Sequence, residues 1–179
     1  GILDRMPGIN DINFMEMYLE CVFRGLTLQD AEKPVFNTSS EEVDRIFAKH
    51  NLIGGKTVLL CPYANTIYKL SDGMWAYLSQ QLKAKGYCVL TNVASNRESP
   101  VIGTEGVFVK YGDMKYFLEK CGATIQLRSG LTDLISSFSC RKIILYPIEN
   151  PYWFGWATSY EFFSTTALLP SGNMRGIFS

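Results

Sequence analysis

The feature that most constrains this chain is a change of rhythm at Thr57. From there onward, short apolar runs of strand length alternate with amphipathic stretches of helix length. Thr57-Val58-Leu59-Leu60-Cys61 is a continuous apolar run, the pattern of a strand covered on both faces. Ser71 then stands as the cap of an amphipathic helix that carries Met74, Trp75, Leu78 and Leu82 and stops at Gly86. Tyr87 to Val93 predicts a second strand and Val107 to Val109 a short third. A helix follows from Asp113 to Cys121, then a strand from Ala123 to Leu127, a helix from Leu131 to Phe138, and a fifth strand from Lys142 to Tyr146. Strands and helices that alternate through short connections predict an α/β domain: a parallel sheet of about five strands with helices on both faces.

The flanks are less regular. Residues 1–39 read as an N-terminal helix and a connecting segment, the helix placing Phe14, Met17, Tyr18 and Cys21 on one face and stopping at Gly25. Residues 40–150 hold the α/β domain, opened by a helix over Glu41 to His50 with Ser40 as its cap and Val43, Ile46 and Phe47 on its apolar face. Residues 151–179 form a tail whose Tyr152, Trp153, Phe154, Trp156, Tyr160, Phe162 and Phe163 pack back on the domain or mark a partner surface.

Composition removes several function classes. The 17 basic and 17 acidic residues cancel, so the chain lacks the charge surplus that drives binding to nucleic-acid backbones. No apolar run reaches the roughly 18 residues of a membrane span, and Gly1 to Asn10 does not resemble a signal peptide. The 5 cysteines are widely scattered and there is 1 histidine, so no zinc-ligand spacing exists and reduced thiols in the cytoplasm are expected.

Three strand-to-helix junctions stand where ligands bind in such sheets. The first is Arg128-Ser129-Gly130-Leu131-Thr132-Asp133. Amides at the start of a helix favour an anion, Gly130 permits close approach, Ser129 offers a hydroxyl, and Arg128 can fork onto phosphate oxygens. Equally, Ser129 can merely cap the helix while Arg128 is solvated. The second is the loop Pro62 to Ser71, in which Asn65, Thr66 and Lys69 reach a ligand or stand in water. The third joins Thr91-Asn92-Val93-Ala94-Ser95-Asn96-Arg97-Glu98 to Lys110-Tyr111-Gly112-Asp113, a candidate nucleoside pocket in which Asp113 reads as a helix cap.

Sharper motifs fail. Gly55-Lys56-Thr57 imitates the end of a P-loop, but position 50 is His where glycine is required. Ser129 lacks the flanking glycines of a nucleophile elbow and has no downstream histidine as base. No Gly-x-Gly-x-x-Gly and no Asp-x-Asp occurs, so neither a dinucleotide cofactor nor a metal-bridged diphosphate is expected. His50 reads as a structural charge at a helix end.

Thr57 to Ser71, the helix through Trp75 and Leu82, Gly86 to Asn92, and Leu127-Arg128-Ser129-Gly130-Leu131 occur in an order that resembles the C-terminal, donor-binding half of GT-B glycosyltransferases. The similarity is nearest to the heptosyltransferases of bacterial surface-polysaccharide assembly. It covers about residues 30 to 150. The resemblance implies a Rossmann-like fold that binds a nucleotide-diphosphate sugar and needs no metal or other cofactor. Ser129, Gly130, Leu131 and Thr132 would hold the diphosphate. Arg128 and Lys69 would stabilise the departing nucleoside diphosphate, and the junctions 91–98 and 108–112, with Thr91, Asn92 and Tyr111, would hold the base and ribose. It further implies an N-terminal acceptor-binding domain as partner and an acceptor associated with the membrane. Two alternatives stay open: a non-catalytic nucleotide-binding or interaction domain of this fold, and a small phosphate-ester enzyme of flavodoxin-like topology.

Overall fold

The computed structural model describes residues 26, 30, 35–64, 70–145 and the backbone of 146–147 and 165–169. The predicted helix over 12–24, the loop residues Asn65, Thr66 and Lys69, and the aromatic run 151–163 lie outside the described residues. The chain divides into two units, 1–35 with 150–162 and 36–149 with 163–179, and the second carries the α/β sheet.

The elements of that second unit run in the order α1 (Glu41–Lys49), β1 (Thr57–Cys61), α2 (Asp72–Ala84), β2 (Cys88–Asn92), β3 (Glu105–Val107), a 3-10 turn (Tyr111–Asp113), α3 (Met114–Cys121), β4 (Gly122–Leu127), α4 (Gly130–Ile135), β5 (Arg141–Pro147) and β6 (Thr165–Leu169). The sheet order is β3-β2-β1-β4-β5-β6, and every pairing is parallel. This is the strand order of the doubly wound Rossmann fold. The five strands expected from the sequence are present, and β6 adds a sixth inside what reads as the tail.

Both faces of β1 are covered, which is why its residues run apolar without interruption. Val58 and Leu60 pack with Trp75, Leu78 and Leu82 of α2, while Leu59 and Cys61 pack with α1, α3 and α4 through Phe47, Phe117, Leu118 and Ile135. Ser40 and Ser71 cap their helices as expected, accepting from Val43 N at 3.3 Å and from Met74 N at 3.3 Å. At Gly122 the chain turns from α3 straight into β4 with φ +98, and an added Cβ would stand 2.9 Å from the Gly55 backbone. Glycine is required there by both conformation and space.

Three expectations change. The third strand is Glu105–Val107, not 107–109, because β3 pairs Glu105 with Leu90 and Val107 with Asn92, where its partner ends. The last helix closes at Ile135, three residues before Phe138. Its end is set by Lys142, a buried side chain whose Nζ donates to the carbonyls of Ile135 (3.3 Å), Ser136 (3.1 Å) and Phe138 (2.6 Å). An ammonium satisfies carbonyls that have no further amide to accept from. Asp113, third, makes no capping bond and instead accepts from Asn37 Nδ2 at 2.9 Å, tying the segment before α1 to the turn after β3.

Candidate functional site

β1 and β4 are neighbours, yet the chain leaves β1 toward α2 on one face and leaves β4 toward α4 on the other. A crevice at the strand carboxyl ends follows from that divergence. A cleft of about 880 Å³ opens there, with Cys61, Tyr63 and Ala64 at the exit of β1 and Asn92, Ala94 and Glu98 at the exit of β2. Phe108, Val109, Tyr111 and Met114 follow β3, and Ser129, Gly130, Leu131 and Leu134 form the wall beyond β4.

The β4 wall is held from below. Gln126, fully buried, donates from Nε2 to Thr132 Oγ1 at 3.0 Å, and the Ser129 N–H donates to the same hydroxyl at 3.1 Å. The Arg128 N–H donates to Leu145 O on β5 at 3.1 Å. The turn therefore has little freedom, and α4 starts where β4 and β5 dictate. The Gly130 and Leu131 amides belong to the first helical turn and have no intrahelical acceptor. At Gly130 the position a Cβ would take has no atom within 4 Å, so the backbone is open to approach.

The opposite wall is built from longer loops tied to one another. Tyr63 Oη accepts from Ser99 N at 3.1 Å, and Glu98 Oε2 accepts from Ala94 N at 2.6 Å. Thr91 is buried, and its hydroxyl pairs with Thr104 Oγ1 at 2.6 Å and accepts from Val101 N at 3.1 Å. Outward stand Phe108 and Tyr111, 60% and 70% exposed although large and apolar. Two exposed rings beside a polar crevice are a platform on which a flat ring can stack.

Electrostatics limit the chemistry. Burial pushes the Cys61 thiol up to about 12, so it is a neutral filler at the cleft floor and no nucleophile at neutral pH. Among the described residues that line the cleft, Glu98 is charged and none is basic. Lys110 and Arg97 adjoin lining residues in the chain, and Arg128 adjoins the Ser129 to Leu131 turn, but its guanidinium lies on Asp133, with Nη2 to Oδ1 at 2.7 Å and Nη1 to Oδ2 at 3.2 Å. Among the described residues, no three His, Cys, Asp or Glu gather as a metal site.

Of the residues singled out from the sequence, the structure brings Asn92, Tyr111, Ser129, Gly130 and Leu131 to one cleft. Thr132 sits beneath its wall, Thr91 is spent on the β2 loop, and Arg128 stands at the flank. Phe108 fell within the junction 108–112 that the resemblance implies, but its ring was not singled out because Val107 to Val109 read as strand. Once β3 ends at Val107, the ring belongs to the exit loop. Tyr63 was also missed, although its place next to Pro62 at the end of an apolar run was a signal.

No known sequence family matches the chain, and none of the curated proteins does. Solved structures do share its fold. The E. coli ADP-heptose LPS heptosyltransferase II aligns with TM-score 0.61 at 18% identity, covering 89% of this chain and 55% of that one. A family 9 glycosyltransferase from Veillonella parvula aligns with TM-score 0.59 at 13% identity, over 90% of this chain and 50% of its own. An E. coli heptosyltransferase solved with ADP aligns with TM-score 0.54 at 16% identity, over 82% and 49%. This chain thus has the α/β fold found in heptosyltransferases, and it spans about half the length of those structures. Among the described residues, no helix is long and apolar enough to cross a membrane.

Proposed function

We propose that this chain is the donor-binding part of a glycosyltransferase of bacterial polysaccharide or lipopolysaccharide synthesis, and that the switch-point cleft holds a nucleotide-diphosphate sugar. One observation carries the reading: a single cleft of about 880 Å³ joins an open backbone turn, Ser129 to Leu131, to a wall with two exposed rings. The turn takes the diphosphate, with Thr132 fixing its geometry from below. Asn92, Tyr111 and Phe108 take the nucleoside. Thr91 serves by holding the β2 loop that carries Asn92. Asn65, Thr66 and Lys69 complete the loop after β1 in this reading.

The transfer breaks the bond between the sugar's anomeric carbon and the β-phosphate oxygen, and the electron pair leaves with the nucleoside diphosphate. The acceptor's hydroxyl oxygen forms the new bond and gives up its proton to a base on a separate acceptor-binding domain. This chain's part is electrostatic: Arg128 and Lys69 neutralise the charge that grows on the departing diphosphate, without a metal. A cytoplasmic site with a membrane-associated acceptor completes the proposal.

Calorimetric titration with UDP, GDP, ADP and CMP tests it. Saturable binding of one nucleotide is expected, weakened by about 1.5–3 kcal/mol in Arg128→Ala, the scale of hydrogen bonds to a charged group. Absence of binding by all four overturns the site, and binding that Arg128→Ala leaves untouched removes Arg128 from it.

A further inference from the structure

The cleft has no cation of its own among the described residues that line it, and the one that adjoins the Ser129 to Leu131 turn is already paired. Arg128 and Asp133 form a two-pronged contact at 2.7 and 3.2 Å, while a third guanidinium bond runs to the Ser129 carbonyl at 2.5 Å. The guanidinium end is the inner partner, with 15% of its side chain exposed against 49% for Asp133. Asp133 sits on the first turn of α4 but off the face that carries Leu131 and Leu134 into the cleft. The Arg128 backbone is anchored to β5, so an exchange of partners by the guanidinium falls to its side chain.

We propose that Asp133 sets the anion affinity of this cleft by holding Arg128 in a carboxylate fork that a phosphoryl group must replace. A phosphate presents two oxygens to the same fork that a carboxylate does, so the exchange conserves the guanidinium's bond pattern. The cost of exchange is the lost Arg128–Asp133 contact together with the bond to the Ser129 carbonyl, and Asp133 turns outward into water because it is half exposed already. Asp133 is a positioning residue: it acts on the ligand through Arg128. A weak or singly charged anion gains too little to displace it, which biases the cleft toward diphosphates. This inference rests on the anion-binding reading of the cleft given above.

The test titrates the full chain with inorganic pyrophosphate and, separately, with ADP, GDP, UDP and CDP, at about 0.1 M salt, where exposed charges are screened beyond roughly 10 Å. Asp133→Asn keeps the shape and removes the charge, and Asp133→Ser serves as a second variant should the first not fold. Either is expected to tighten pyrophosphate and the bound nucleotide about three- to tenfold. In the Arg128→Ala background, the same substitution is expected to change nothing. Unchanged or weaker binding in a folded Asp133 variant overturns the proposal, as does a gain that persists without Arg128. Tighter pyrophosphate binding with no nucleoside preference keeps the Asp133 role and overturns the nucleotide reading. Nucleotide binding indifferent to Asp133 does the reverse, and no binding of either probe to any variant overturns both.

Discussion

The two walls of the cleft are built on opposite plans. Beyond β1 and β2 the loops are long, joined to each other through Tyr63 and braced within the second by Glu98 and Thr91, and what this wall turns outward is side chain, above all Phe108 and Tyr111 after β3. Beyond β4 the turn is short, and what it turns outward is backbone. That backbone is pinned by buried groups on every side: Gln126 through Thr132 at the entry, Arg128 N–H on β5, and Lys142 under the exit of α4. An amide can only be aimed by fixing the chain that carries it, so the backbone wall draws its precision from the core. A wall of exposed rings needs only a stable loop to stand on.

The largest effect that separates the walls is expected at Lys142. Lys142→Met keeps the stem but leaves the carbonyls of Ile135, Ser136 and Phe138 without their donor, and a loss of about 2–4 kcal/mol is expected in denaturant unfolding. A loss below about 1 kcal/mol would mean that the turn and α4 hold themselves, and the contrast between the walls would fail. At the other wall, Phe108→Ala and Tyr111→Ala should move stability by less than about 0.5 kcal/mol, as exposed side chains do. The same variants should weaken nucleotide binding by about 1–2 kcal/mol each, the scale of ring stacking. Stability loss without loss of affinity would assign the rings to folding instead.

The smallest effect sharpens the picture of the β4 side and is read by pH. Glu119 joins α3 to the segment after α4, accepting from Lys115 Nζ at 2.7 Å and Ser139 N at 2.9 Å. Burial pushes its carboxyl up, but these bonds and the charges of Lys115 and Lys142 outweigh it and hold the group below the ordinary 4.5. A depressed carboxylate stabilises the fold above its unfolded value and loses that contribution as pH falls through the folded one. Unfolding followed from pH 7 down to 3 should therefore show a decline beginning near 4.5 that Glu119→Gln reduces, by under about 1 kcal/mol for a half-buried pair still screened by water. An identical profile in the variant would show that the link carries no stability.

Much of the fold was legible because burial on both faces writes itself into consecutive residues. Thr57 to Cys61 and Ala123 to Leu127 read as strands and are strands, and Ser40 and Ser71 announced their helices through the caps they make. β6 was illegible for the complementary reason: Thr165 to Leu169 is a strand by virtue of its pairing with β5, from Ile143 with Thr165 to Pro147 with Leu169. The site was half legible. Ser129, Gly130 and Asn92 follow from standing at strand ends, whereas Phe108 depends on where β3 stops, and that is decided by β2.

Arg128 shows the division most clearly. Its type and place after a strand are sequence facts, and they point to an anion. Its pairing is not, because Arg128 and Asp133 are five apart and Arg128 lies before the helix, outside the three- and four-residue spacings by which helical neighbours are recognised. By itself the sequence determined the kinds of element, their parallel alternation and the residues that stand at strand ends, since these follow from short-range periodicity and capping. Only the tertiary structure decided the order β3-β2-β1-β4-β5-β6, the meeting of four strand exits in one cleft, and the carboxylate that holds its cation. The sheet order and the cleft depend on contacts between segments far apart in the chain, and the ion pair, though local, depends on how β4 and β5 set the turn, so that geometry chooses among competing partners.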